Sequence, residues 1–194
     1  MIGDGCTIRE GVTMHAGTDT SRGETSVGDN GNFLAYAHIA HDCVVGSNVT
    51  MANLATLGGH CEIGDFVSMG GLSGVHQFCR IGHHAFIGGL SAVLGDVIPY
   101  GMASGPQATL RGFNVIGMKR SGMKREEIHA MRDAYRLIFD RSQPVGDNLE
   151  RAAAEFQDRG PVLEIIDFIR SRGRRHLVVP ALQGIGNEDA DADL

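Results

Sequence analysis

The chain has 194 residues, a formal net charge of −6 and an apolar content of 42%, enough to bury a core and carry one domain with an appendage. That charge provides no general basic footprint for nucleic acid. The chain shows neither a secretory leader nor an integral membrane segment, so a cytoplasmic protein is expected.

Taken in order, large apolar residues first recur every six positions at Ile2, Ile8 and Met14. The register then breaks at a polar insert, Thr18–Ser26, which reads as a loop projecting from one corner of a repeat. From Val27 to Ile98 the six-residue rule returns without interruption, opening on Val27, Phe33, Ile39, Val45, Met51, Leu57, Ile63, Met69, Val75, Ile81, Ile87 and Val93. At this apolar content, twelve in a row in some one of the six registers has a chance probability of order 10⁻⁴. The fifth position of each hexad is mostly small: Gly31, Ala37, Cys43, Val49, Ala55, Cys61, Val67, Ser73, Cys79, Ala85, Ser91, Val97. Two positions in six are therefore expected to face inward, one large and one small, and the abundant glycines are expected to serve sharp turns. The period specifies a solenoid of short β-segments. The stretch resembles hexapeptide-repeat proteins, in which three hexads close one coil of a left-handed parallel β-helix, a triangular prism with coils about 4.8 Å apart. The chain opens inside a hexad with no covering cap, so relatives are expected to carry further coils ahead of it.

Pro99 and Gly101 end the hexads. Helical spacing follows: one helix capped by Ser121 and running to about Phe139, a second over roughly Asn148–Gln157, and a third opening at Pro161. From about Pro180 the chain is acidic and reads as a disordered tail. The expected organisation is a β-helix over 1–105, a helical domain over 106–178 and a tail over 179–194.

Cys43, Cys61 and Cys79 all occupy the small inward position and are expected to pack as reduced thiols. His38, His41, His60, His76, His83 and His84 occupy neither inward position, so none is a core histidine. With coils of 18 residues, His41 stacks beneath Gly59, and Gly59 beneath Gln77. Asp42, His60 and Phe78 form the adjacent column, with His76 beside them and His38 at the entering corner. His83 and His84 fall on the next face and read as surface residues. Such a cluster can bind a metal through imidazoles. Alternatively one histidine can serve as a general base, with a carboxylate orienting it and a backbone N–H stabilising an oxyanion. The residues alone leave both open.

The stretches HIAHDC (His38–Cys43), LGGH (Leu57–His60) and VHQFC (Val75–Cys79) resemble the UDP-N-acetylglucosamine acyltransferases of lipid A synthesis. IREGVTMH (Ile8–His15), DVIPY (Asp96–Tyr100) and GFNVIGMKR (Gly112–Arg120) extend the match. The resemblance implies a reaction in which His41 takes the proton of the sugar 3-hydroxyl, Asp42 holds the imidazole and the Gly59 amide stabilises the oxyanion. It implies that His38, His60, His76 and Gln77 shape the pocket, and that Asn114 and Arg120 reach the nucleotide from a neighbouring subunit. Gly89 matches the position that measures acyl length. No metal or cofactor is implied, because the acyl chain arrives on the phosphopantetheine of acyl carrier protein. A homotrimer is implied, and Lys119, Arg120, Lys124 and Arg125 offer a basic approach for the acidic carrier. The family usually has a glutamate where Ile116 stands. It also places acidic and lysine substrate contacts in coils upstream of those present here. The alternatives on the same fold are an N-acyltransferase, which typically reads Asn where Asp42 stands, a metal-dependent carbonic anhydrase, and an inactive truncated homologue.

Overall fold

The structure, a computed structural model, describes residues 1–171 and 173–181; the expected acidic tail falls mostly outside them. Strands of two residues recur every six positions from Thr7–Ile8 to Ala92–Val93, interrupted once by the insert. The first residue of each faces out and the second faces in, and from Val27 on the inward residues are buried; Phe33, Ile39, Met51, Leu57, Met69, Ile81 and Ile87 are shut off almost completely. Strands pair in parallel one coil apart, Asn32 with Thr50 and His38 with Thr56. The result is three faces. The first holds strands such as Asn32–Phe33, the second His38–Ile39 and the third Val44–Val45. The small inward positions are buried as expected, and the cysteines there are free thiols. Burial pushes Cys79 up to about 12, which keeps it protonated and inert.

Glycine turns the first coil, at Gly5 and Gly11 with φ of 68° and 69°, but from residue 27 on it does not, contrary to the expectation from composition. The fourth residue of each hexad from Asn30 to Leu90 has a φ between 57° and 65°, and none of these is glycine. A left-handed conformation costs such a residue about 1–2 kcal/mol. The cost is offset because its N–H turns to donate to a carbonyl of the coil below, as His60 does to His41 and Phe78 to Gly59, both at 3.0 Å. The glycines of the second hexad position answer to proximity instead. A Cβ on Gly64 or Gly70 would collide with the backbone of the next coil at His83 or Gly89.

These left-handed residues stack into three corner columns. Tyr36, Leu54, Leu72 and Leu90 line the corner between the first and second faces. Asp42, His60 and Phe78 line the corner between the second and third. Asn30, Asn48, Phe66 and His84 line the corner between the third and first.

Beyond the coils, Gly101–Ser104 and Thr109–Phe113 form an antiparallel hairpin that extends the first face. The expected boundary at residue 105 thus lies in the hairpin's turn. Among the described residues four helices follow: α1 (Val115–Arg120), α2 (Arg125–Ile138), α3 (Val145–Glu155) and α4 (Gly160–Arg170). Ser121 does not begin a helix; it ends α1, and Glu127 reaches back to the Lys124 amide to start α2. The second expected helix begins earlier, behind Pro144, and Pro161 sits in the first turn of α4. Arg80 locks α4 to the prism. It pairs with Asp96 at 2.8 Å, donates to the Phe168 carbonyl and the Ser171 hydroxyl, and lies over the Phe168 ring. The chain then returns along the prism, where Pro180 bridges to Leu110 and accepts a bond from Arg141.

Candidate active site

The corner between the second and third faces brings His41, Asp42, Gly59 and His60 together. His41 Nδ1 lies 2.8 Å from Asp42 Oδ2. The Asp42 side chain is wholly enclosed while that of His41 is 40% exposed. What encloses Asp42 is the polar insert. The Thr18 hydroxyl donates to Oδ2 at 2.7 Å, and the amides of Thr18 and Gly23 donate to the carboxylate at 3.1 to 3.2 Å. The Asp42 amide in turn donates to Thr25 Oγ at 2.8 Å. Burial pushes the Asp42 carboxyl upward, but the bonds from His41, Thr18 and Gly23 outweigh it and hold the group well below its ordinary 3.8. The sign follows from linkage. Ionised Asp42 supports the fold above that value, and the support is lost only in strong acid, as pH falls through the depressed one.

An ionised acceptor at Nδ1 places the proton there and leaves Nε2 bare. The His41 ring lies against Gly59, where a Cβ would stand 2.7 Å from Cε1 and 2.8 Å from Nε2. Among the described residues the Gly59 amide donates no hydrogen bond. A bare imidazole nitrogen and a residue with an unused N–H therefore lie side by side, and a base beside a free amide is the pairing that acyl transfer requires.

His60 meets His41 edge-on, with centroids 5.0 Å apart, and stacks on Phe78 at 4.4 Å and 6°. Ser21 Oγ of the insert lies 3.2 Å from its Nδ1. His38 bonds to Thr13 Oγ1 at 2.7 Å and packs against His15. Burial, then His15, lowers its pKa. His76 and Gln77 are exposed at the rim, with the Gln77 carbonyl accepting from Arg175 at 2.9 Å. The ligand atoms of His41, Asp42 and His60 do lie within 4.8 Å of one another, as a metal site would need. The chemistry of the donor set argues against one, because Asp42 already accepts from four donors, His41 Nδ1 among them.

Other expected residues lie elsewhere on the chain. Gly89 sits at the corner between the first and second faces, where a Cβ would stand 3.2 Å from the Gly71 carbonyl. Asn114 and Arg120 line a cavity of about 1050 Å³ with Phe66, His84, Tyr100 and Ile116, at the third corner. The Asn114 side chain is engaged there. Nδ2 donates to the His84 carbonyl and Oδ1 accepts from Gly117 as the cap of α1, both at 2.9 Å. His84 is not a simple surface residue, being stacked between Phe66 and Tyr100. Sequence reasoning missed the roles of Thr18, Ser21, Gly23 and Thr25. The only signal was a run of short polar residues about one coil's length ahead of Asp42.

Residues 96–178 match the second domain of the UDP N-acetylglucosamine O-acyltransferase family model. An acyl-[acyl-carrier-protein]–UDP-N-acetylglucosamine O-acyltransferase from Mesorhizobium japonicum is 69% identical over 191 residues, which cover 98% of this chain and 68% of that protein. One from Brucella ovis is 53% identical over 195 residues, 99% of this chain and 70% of that one. The Francisella novicida UDP-N-acetylglucosamine acyltransferase superposes with a TM-score of 0.88 at 34% identity, covering 93% of this chain and 66% of its own. The Moraxella catarrhalis UDP-N-acetylglucosamine O-acyltransferase does so with 0.86 at 41% identity, covering 91% and 68%. The chain spans about two thirds of the length of such relatives. With its coil, its corner histidines and these likenesses taken together, it belongs to the UDP-N-acetylglucosamine O-acyltransferase family.

Proposed function

We propose that the chain transfers a 3-hydroxyacyl group from acyl carrier protein to the 3-hydroxyl of UDP-N-acetylglucosamine, the opening step of lipid A biosynthesis in the cytoplasm. The observation that carries this is the bare His41 Nε2 beside Gly59, whose N–H is unused among the described residues. His41 Nε2 takes the hydroxyl proton as the sugar oxygen attacks the thioester carbonyl. The Gly59 N–H donates to the oxygen that becomes negative, and Asp42 balances the imidazolium. Collapse of the tetrahedral intermediate expels the phosphopantetheine thiolate, which recovers the proton from Nε2. No metal or other cofactor takes part.

Association of copies completes the reading. His41 and the Asn114–Arg120 cavity occupy different corners of one prism, so a substrate touching both must lie between two chains. The exposed ladder of Tyr36, Leu54, Leu72 and Leu90 is apolar surface of the kind that association buries, and a homotrimer is the assembly proposed. His38, His60, His76 and Gln77 then shape the sugar and thioester pocket. Arg120 meets the diphosphate, and Asn114, already bonded on both side-chain atoms, holds the α1 start that presents it.

The test is product analysis after incubation with UDP-N-acetylglucosamine and 3-hydroxyacyl carrier protein. An alkali-labile 3-O-ester supports the proposal. Absence of transfer, or an amide formed only on a 2-amino sugar, overturns it.

The acyl chain is proposed to run across the second face, where the outward residues Thr56, Gly74 and Ala92 leave a low floor, toward Gly89. Gly89→Met fills that end of the path. It should lower kcat/KM for the longest accepted donor by about 10-fold or more, as loss of room for a methylene does, while shorter donors are spared. Competition between donors of graded length measures this, and an unchanged preference removes Gly89 from the path.

A further inference from the structure

The insert between residues 18 and 26 does more than project from a corner. It leaves the first coil at Gly17 and returns at Ser26, and in between it closes over Asp42 at the corner between the second and third faces. Its contacts converge on one group. Thr18 gives the Asp42 carboxylate a hydroxyl and an amide, Gly23 gives an amide, and Thr25 takes the Asp42 amide. Ser21 reaches the neighbouring His60. Asp42 bonds His41 through Oδ2, the same oxygen that Thr18 Oγ1 approaches at 2.7 Å. A carboxylate free to rotate about its last bond could offer either oxygen in a range of directions. With its remaining lone pairs occupied by the insert, it can offer only one, in one direction.

We propose that Thr18 is a positioning residue for the transfer reaction. Its hydroxyl fixes the Asp42 carboxylate so that His41 holds its proton on Nδ1 and keeps Nε2 free for the substrate. The proposal rests on the reading of His41 as the base. Thr18 touches neither substrate nor the reacting atoms. Its effect passes entirely through Asp42.

Thr18→Val removes the hydroxyl while keeping the shape of the side chain and the backbone amide. Loss of one hydrogen bond to a charged group predicts a fall in kcat of about 10- to 100-fold, with KM for UDP-N-acetylglucosamine within about twofold of the parent. Thr18→Ser, which restores the donor, should recover most of the rate. In an Asp42→Asn background Thr18→Val should cost almost nothing further, because the group it acts through is already neutral. A loss that multiplies with Asp42→Asn, a Ser variant as poor as Val, or a Val variant with parental kcat overturns the proposal. Imidazole ¹⁵N spectra give a readout that does not require turnover. The parent should show His41 protonated at Nδ1, and Thr18→Val should show mixed tautomers. If the parent transfers no acyl group but the tautomer shifts as stated, the transfer reading fails and the positioning role stands. An unaltered tautomer in Thr18→Val overturns the positioning role itself.

Discussion

His41→Ala is expected to abolish transfer, with a loss of at least about 10³-fold, because general-base assistance alone contributes about 10²–10⁴. Among the described residues, His60 and His38 are held by other contacts. His60 meets His41 edge-on, but its Nδ1 is tied to Ser21 and its ring is fixed flat on Phe78. His38 is held by Thr13 at the far edge of the second face. The imidazole of His41 is 40% exposed and belongs to no apolar cluster, so its removal leaves the coils intact. The variant should therefore match the parent in circular dichroism and thermal midpoint. Residual transfer above one tenth of the parental rate would show that another group is the base.

Gly59→Ala is expected to be nearly as damaging for a different reason. The added methyl would stand 2.7–2.8 Å from the His41 ring, closer than carbon and nitrogen tolerate, so the imidazole must swing away. That swing breaks the alignment of Nε2 with the substrate and shields the amide that receives the oxyanion. Loss of an oxyanion donor alone costs about 10²–10³ in kcat. The φ of Gly59 is not in the left-handed region, so alanine introduces no backbone strain and the coil should fold. Steady-state kinetics should show the loss in kcat, and a structure of the variant should show His41 rotated off the corner. Parental kcat would remove Gly59 from the mechanism. The contrast with Gly89→Met is instructive: that substitution should change which donor is chosen, whereas Gly59→Ala should slow every donor alike.

Much of this site was legible before folding because the repeat is regular. A strict six-residue period puts any residue's direction and height in reach of counting, so the stacking of His41 under Gly59 and the column Asp42–His60–Phe78 followed from phase. The buried cysteines followed in the same way. Counting failed where regularity fails. The insert has no period, so nothing local shows that Thr18, Gly23 and Thr25 close on Asp42. The helical part has looser signals: Ser121 has the chemistry of a helix start, yet it ends α1.

The backbone of the turns was also illegible. Glycine is the residue expected at positive φ, yet the columns from Asn30 to Leu90 adopt it without glycine, because an inter-coil hydrogen bond that no single coil can form offsets the strain.

By itself, then, the sequence determined the solenoid, the inward positions and the faces on which the histidines lie, since each depends only on spacing along the chain. Only the tertiary structure decided which groups surround Asp42, why its charge is kept when buried, and that Asn114 is bonded on both side-chain atoms. Those depend on contacts between segments far apart in the chain, and such contacts are settled by packing rather than by period.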